Sequence, residues 1–146
     1  MLSSLFKYFE IDAITQMSAF KQMALLASKE LSIEANKILN SLQEREKVAN
    51  TALIEGIALP HIIIDKIDKP KIFVFLDKHN IEDWQDLNNE SIRILICYIL
   101  PARVTYTDTS VRVLRKFSVK LADDQFIDRI SSCRTISDLR DTIKDT

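Results

Sequence analysis

The chain has 146 residues, of which 47% are hydrophobic, 28% are charged and one is glycine, and its formal net charge is −1. This length and composition predict a single domain spanning residues 1–146, and the near-neutral charge argues against nucleic-acid binding. A single glycine excludes sites that need two or more, namely P-loops, G-x-G-x-x-G dinucleotide turns and G-x-S-x-G nucleophile elbows.

The other scarce residues predict a cytoplasmic protein with no metal site and no cofactor. Cys97 and Cys133 are too few for a disulfide framework, and Cys97 lies in an apolar run that is typical of a core. His61 and His79 are the only histidines and lack zinc-site spacing. The longest apolar stretch, residues 94–100, is far shorter than the roughly 18 residues of a membrane span, so we expect no direct membrane insertion.

Two amphipathic helices are predicted in the first third of the chain. Ser18 is the predicted N-cap of the first and Ser32 of the second, and residues 44–47 close the second helix. Their apolar faces consist of Phe20, Met23, Ala24, Ala27 and Leu31, and of Ala35, Ile38, Leu39 and Leu42.

The middle of the chain predicts strands. Residues 57–60 form a short extended piece because Pro60 disfavours a helical residue before it. Residues 72–76 and 92–100 are β-branched and aromatic runs, which are typical of strands buried on both faces.

Helices return in the last third. One has an apolar face and a basic face, and two short helices follow, the last one after a capping box at residues 135–138. The faces of the first comprise Ser110, Leu114, Phe117 and Leu121, and Arg112, Arg115, Lys116 and Lys120. The order of elements predicts an α/β fold, a single layered domain whose mixed central sheet is flanked by helices on both faces.

His61 is a weak signal alone, since a lone histidine is more often structural. Residues 44–47 read E-R-E-K, Thr51 follows, and residues 55–61 read E-G-I-A-L-P-H. This string resembles the active-site signature of the mannitol/fructose-type IIA domains of the bacterial phosphoenolpyruvate-dependent sugar phosphotransferase system, R-E-x, a Ser or Thr, then G-I-A-[IV]-P-H. The order of predicted elements is also similar, so the resemblance covers the whole chain.

The resemblance implies a phosphocarrier that accepts a phosphoryl group from phosphorylated HPr and passes it to a IIB domain, which works with a membrane IIC in sugar uptake. His61 is then the nucleophile, and the guanidinium of Arg45 binds the phosphoryl oxygens. The alternative for Arg45 is a solvated residue that closes a helix. Glu55 matches an acidic position and is a candidate to orient the imidazole or neutralise Arg45; an exposed loop carboxylate is an equal alternative.

Two departures from the signature bear on function. The second histidine of the family is replaced by Ser110 or Arg112, which are candidate supporting residues as a neutral donor and a positive charge. A lost donor costs about 2.7–4 kcal/mol of transition-state stabilisation if nothing replaces it. Ile62 stands where glycine normally follows the active histidine, and a β-branched residue resists positive φ.

These departures favour a second hypothesis, a regulatory IIA-like module that binds partner proteins and whose phosphorylation acts as a switch or is lost. An unrelated α/β domain with a coincidental string is the third. The sequence does not specify the sugar, because in this family the IIC partner contacts it, and it leaves the oligomeric state open.

Overall fold

The computed structural model describes residues 5–103 and 109–144. In this part of the chain the elements are, in order, β1 Phe6–Ile11, α1 Gln16–Leu31, α2 Ala35–Val48, β2 Ile57–Ala58, β3 His61–Ile64, β4 Lys71–Gln85, β5 Ser91–Pro101, α3 Thr109–Lys120, α4 Asp124–Ser131 and α5 Ile136–Lys144.

The strands form one mixed sheet in the order β1-β4-β5-β2, and β3 also pairs with β5. β1 runs parallel to β4, β4 antiparallel to β5, and β2 and β3 both parallel to β5. Ile57 lies opposite Ile94 and His61 opposite Tyr98, so β2 and β3 keep the same offset from β5. Pro60 has no N–H to donate and interrupts this otherwise continuous edge.

Both faces of the sheet carry helices, which confirms the predicted architecture. One core includes Phe73, Phe75 and Leu95 of the sheet and Phe20 and Met23 of α1. The other core packs the alternate residues of β4 and β5 against α3, α4 and α5. Because neighbouring strand residues point to opposite faces, a strand covered on both sides is apolar throughout. Residues 72–76 and 94–99 are accordingly all buried, as predicted.

The sheet is larger than predicted. β1 was not predicted at all, and its parallel partner lies far away in the sequence, with Phe6 opposite Ile72. β4 continues to Gln85, well past the predicted end at Leu76, through a polar stretch in which the register against β5 shifts. A polar, irregular extension lacks the continuous apolar pattern on which the prediction rested.

Both predicted caps of the first two helices were wrong. Thr15 caps α1, and its hydroxyl accepts from the Ser18 N–H at 3.1 Å. Ser32 instead ends α1 in the left-handed conformation at φ 55°, and Glu34 precedes α2 without a side-chain capping bond. Serine is favoured near both helix starts and turns, so its presence did not distinguish the two.

The predicted C-terminal helices are confirmed. Phe117 and Leu121 are buried, while Arg112, Arg115 and Lys116 are exposed, so α3 has the predicted two faces. The Thr135 hydroxyl accepts from the Asp138 N–H at 3.0 Å, which is one half of the predicted capping box before α5. Within the described ranges, no helix combines the length and the apolar character that crossing a membrane requires.

Candidate functional site

A tight hairpin leads the chain into the candidate site. Residues 51–59 fold back on themselves, and the Ile57 N–H donates to the Ile54 carbonyl at 3.2 Å across the turn. The two central residues, Glu55 and Gly56, have φ values of 58° and 71°. Positive φ at both positions is what a type I′ turn requires, and this turn suits the twist of the strands it joins.

Gly56 suits the second position of this turn, because glycine has no Cβ to strain at positive φ. Its N–H donates to an Asp86 carboxylate oxygen at 2.8 Å, and its carbonyl accepts from the N–H groups of Arg93 and Ile94 at 2.8 and 3.1 Å. A Cβ at this position would lie 3.0 Å from the Ser91 carbonyl oxygen. The single glycine therefore fixes the hairpin against the start of β5.

His61 follows this hairpin as the first residue of β3, whereas Gly56 lies at the hairpin's tip. Its imidazole is half-buried, and its ring centroid lies 5.3 Å from that of Tyr98, with the two planes tilted by 44°. Burial, and after it the positive charge of Arg45, lowers the pKa of His61 from its usual 6.5. The imidazole is therefore neutral at neutral pH, which is the state in which a ring nitrogen can act as a nucleophile.

Arg45 lies in the last turn of α2, and its charge acts on His61. Its Nη1 also donates to the Ala49 carbonyl oxygen at 3.1 Å, just beyond the helix end. This bond takes one of the five N–H donors that a guanidinium carries. The side chain therefore closes α2, and its positive charge also acts on the imidazole, so the two interpretations of Arg45 are compatible.

Glu46 has a role that was not predicted from the sequence. Its carboxylate accepts from the Thr51 hydroxyl at 2.9 Å and from the Thr51 N–H at 3.3 Å, and Thr51 is buried. These bonds join the end of α2 to the start of the hairpin that precedes His61. The acidic residue after Arg45 and the Thr51 hydroxyl were both in the string, but only the fold shows that they bind each other.

Glu55 is not brought together with His61. It lies at the tip of the hairpin, and at about 3.3 Å per residue the extended segment between Gly56 and His61 spans roughly 16 Å. Partial burial raises the pKa of Glu55, and so do the neighbouring carboxylates of Glu90, Asp128 and Asp86. Glu55 therefore lies among other carboxylates at the hairpin tip, and a role towards His61 or Arg45 stays a prediction beside the alternative of a loop carboxylate.

The structure describes all three residues at which the chain departs from the signature, namely Ser110, Arg112 and Ile62. Ser110 is half-buried and Arg112 exposed at the start of α3. Ile62 lies in β3 opposite Ile99, is buried in the core on the α1 side, and is not among the residues with positive φ. The backbone at Ile62 is therefore extended, a conformation that suits a β-branched residue, as its resistance to positive φ implies.

His79 lies in β4, away from the motif. Its Nε2 is 2.7 Å from an Asp12 carboxylate oxygen, and both side chains are largely exposed. Across the residues that the structure describes, no three His, Cys, Asp or Glu side chains are arranged to hold a metal ion. Cys97 is buried, which raises its pKa to about 12, so it is the inert core residue that was predicted.

Sequence comparisons connect the chain to proteins of two kinds. It is 25% identical over 128 residues to a nitrogen regulatory protein of Escherichia coli strain K12, a match that covers 88% of this chain and 77% of that protein. It is 27% identical over 115 residues to a fructose-specific EIIABC component of the phosphotransferase system from Mycoplasma pneumoniae, covering 79% of this chain and 16% of that protein.

Solved structures share the fold. The crystal structure of nitrogen regulatory protein IIA-Ntr from Neisseria meningitidis gives a TM-score of 0.77 at 15% identity, covering 97% of this chain and 98% of that one. The crystal structure of IIA mannitol from Escherichia coli gives a TM-score of 0.64 at 19% identity, covering 93% and 94%.

A family-level match covers nearly the whole chain. Residues 5–146 match the sequence model of the family described as "Phosphoenolpyruvate-dependent sugar phosphotransferase system, EIIA 2". This range includes the hairpin, His61 and both layers of helices. The chain therefore belongs to the EIIA 2 family of the phosphoenolpyruvate-dependent sugar phosphotransferase system.

Proposed function

We propose that the protein is a phosphoryl carrier that accepts a phosphoryl group from phosphorylated HPr on His61. The observation that carries this proposal is the half-buried imidazole of His61 at the start of β3, whose pKa is lowered by burial and then by the charge of Arg45. An imidazole kept neutral at cytoplasmic pH retains the lone pair for attack. The guanidinium whose charge acts on this imidazole would supply donors and positive charge for the oxygens of the transferring group.

The transfer exchanges one phosphorus–nitrogen bond for another. A ring nitrogen of His61 attacks the phosphorus of the donor's phosphohistidine, a new P–N bond forms on His61, and the donor's P–N bond breaks. The donor's imidazole leaves with the electron pair of the broken bond. Because the group transferred is largely metaphosphate-like, the protein acts by positioning and charge stabilisation.

Ser110 and Arg112 are proposed as supporting residues at the start of α3. α3 packs on the sheet face that carries His61, since the Tyr98 ring beside the imidazole is hydrogen-bonded to Ser118 of this helix. Ser110 would supply a neutral donor and Arg112 a positive charge to the transferring group. Replacement of each by alanine is expected to slow transfer less than replacement of Arg45.

The acceptor role is tested by mixing the protein with labelled, phosphorylated HPr and following the label by rapid quench. The wild type is expected to become labelled, the His61→Gln variant to remain unlabelled, and the His79→Gln variant to behave as the wild type. An unlabelled wild type or a fully labelled His61→Gln variant would overturn the proposal.

Two destinations for the phosphoryl group remain within this proposal. In the first, the group passes to a IIB domain for sugar uptake of the mannitol/fructose-like class. The fructose-specific relative and the mannitol IIA structures support this one, including an Escherichia coli complex of enzyme IIAMTL with phosphorylated enzyme IIBMTL. Both destinations imply a cytoplasmic protein.

The second destination is regulation, in which the phosphorylation state of His61 sets the affinity for a partner protein. The resemblance to nitrogen regulatory proteins over most of their length supports it, and so does the replacement of the second histidine by Ser110 or Arg112. A chase experiment separates the two. Rapid loss of label to a IIB domain supports sugar transport, whereas stable label together with a protein bound by only one phosphorylation state supports regulation.

A further inference from the structure

The ring of Tyr98 lies next to the imidazole of His61. The two residues lie directly opposite each other in the parallel register of β3 and β5, so their side chains share one face of the sheet. Their ring centroids are 5.3 Å apart, and the Tyr98 side chain is 7% exposed. β3 is an edge strand, so this ring lies on the inner side of a histidine that is otherwise half-exposed.

The Tyr98 ring is fixed at both ends. Its Cα belongs to the central strand β5, and its hydroxyl lies 2.8 Å from the Ser118 hydroxyl of α3. The Ser118 hydroxyl also donates to the Leu114 carbonyl at 2.8 Å. Because a serine hydroxyl has only one proton, the Tyr98 phenol is the donor in its bond to Ser118. Burial raises the pKa of Tyr98, so the phenol keeps this proton at neutral pH.

We propose that Tyr98 is a positioning residue for phosphoryl transfer, because its anchored ring holds the plane of the His61 imidazole for attack on phosphorus. This inference rests on the proposed acceptor role of His61. Attack requires the in-plane lone pair of a ring nitrogen to point at the phosphorus, and rotation about the Cβ–Cγ bond of His61 changes that direction. Small losses of alignment slow such reactions by one to two orders of magnitude.

Tyr98 is also part of the core between the sheet and α3–α5, so its replacement has a structural cost that must be separated from the positioning effect. Phe75 is the matched control. It is a buried aromatic residue on the neighbouring strand β4, but it belongs to the core on the opposite face of the sheet. Phe75→Leu should reduce stability without changing the Tyr98 ring beside the imidazole.

The test compares Tyr98→Leu, Tyr98→Phe, Ser118→Ala and Phe75→Leu as acceptors of phosphoryl groups from phosphorylated HPr. Tyr98→Leu removes the ring and should slow transfer about tenfold, whereas Tyr98→Phe and Ser118→Ala each remove only the anchor and should slow it about threefold. All variants should reach the wild-type extent of labelling, and Phe75→Leu should react at the wild-type rate. Ser118 is exposed, so the Ser118→Ala variant remains informative if Tyr98→Leu does not fold.

A second readout measures the position of the imidazole without any transfer. NMR relaxation of the His61 Cε1–Hε1 bond should show lower order in Tyr98→Leu than in the wild type and unchanged order in Phe75→Leu. Wild-type transfer rates and wild-type order in Tyr98→Leu, or equal slowing in Phe75→Leu, would overturn the inference. If the wild type accepts no phosphoryl group, the proposed function fails, and the NMR order alone decides whether Tyr98 holds the imidazole.

Discussion

After burial, the charge of Arg45 is the second cause that lowers the pKa of His61, and the same guanidinium donates to the Ala49 carbonyl just beyond the end of α2. The same side chain therefore links the end of a helix to the electrostatics of the imidazole. Glu46, the next residue, binds Thr51 and ties the following hairpin to the helix. The consequence is that the position of the positive charge relative to His61 is set by the way α2 ends.

Removal of the Arg45 charge should raise the pKa of His61. Because burial is the larger cause of the lowered pKa, the value in Arg45→Gln should rise and still remain below the usual 6.5. NMR titration of the imidazole measures it directly. Lys47→Gln is the control, since it removes an exposed charge from the same helix end. An unchanged His61 pKa in Arg45→Gln, or an equal rise in both variants, would contradict this electrostatic relationship.

The sign of the effect on activity follows from the same shift. Protonation removes the nucleophilic lone pair, so a lowered pKa keeps the wild type active as an acceptor at pH values somewhat below 6.5. In Arg45→Gln the activity should begin to fall at a higher pH. The acid limb of the pH–rate profile therefore moves in the same direction as the titration.

Loss of Arg45 should also slow phosphoryl transfer at a pH where His61 is fully neutral. Removing one donor to a developing oxyanion typically lowers the rate by about 10²–10³, and Arg45→Gln should fall in this range. Arg45→Lys keeps the charge but not the planar guanidinium, so its transfer rate should lie between those of the wild type and Arg45→Gln. Rapid-quench rates at pH 8 measure this effect, and a rate for Arg45→Gln within threefold of the wild type would contradict it.

The sequence singles out His61 and Arg45 as candidates because their signal is local, an ordered string that leads up to Pro60 and His61. It also predicted β5 and the first part of β4 from continuous β-branched and aromatic runs, and the two faces of α3 from helical periodicity. It did not identify β1, because this strand is specified by its pairing with a distant segment, Phe6 opposite Ile72. Tyr98 was missed for the same reason, since only the register of β3 on β5 places it beside the imidazole.

The role of Glu55 shows the limit of a resemblance. The string placed an acidic residue six positions before the histidine, but the hairpin turn directs that residue to the far end of an extended segment. A fixed spacing from His61 does not give the direction of the Glu55 side chain, because Glu55 itself lies in a turn with two positive φ values. The string alone therefore does not give the position of Glu55 relative to His61.

Glu55→Asn should stabilise the protein and leave transfer to His61 unchanged. Glu55 has φ 58°, and a left-handed conformation costs about 1 kcal/mol for most residues but less for asparagine. Chemical denaturation measures the gain. Glu55→Gln is the control, because it removes the same charge from the acidic surroundings and keeps the strain. An equal gain in stability in both variants would mean that the effect comes from the lost charge. Slower transfer in either variant would support a role for Glu55 at the site.

Asp77→Asn should flatten the pH dependence of stability. Asp77 is buried, one carboxylate oxygen accepts from the Ala13 N–H at 2.7 Å, and the other has no partner among the described residues. Burial raises its pKa above the usual 3.8 despite two backbone hydrogen bonds and the nearby His79, and Asp12 raises it further. The folded chain therefore holds the proton at pH values where the unfolded chain has lost it.

The free energy of unfolding of the wild type should accordingly fall as pH rises from about 3.8 through the higher pKa of the folded state. Asparagine keeps the acceptor for Ala13 and has no proton to lose, so this contribution should be absent in Asp77→Asn. Denaturation at pH 4 to 8 measures the difference between the two proteins. A stability difference that is constant across this range would contradict the raised pKa of Asp77.

The most direct test of the central claim is to find which residue carries the phosphoryl group after reaction with phosphorylated HPr. His61 and His79 are the only two histidines in the chain, so peptide mass spectrometry at alkaline pH, where phosphohistidine is stable, distinguishes them. The account predicts one acid-labile phosphoryl group on the peptide that contains His61 and none in the His61→Gln variant. A phosphoryl group on His79, or an unmodified wild type, would contradict it.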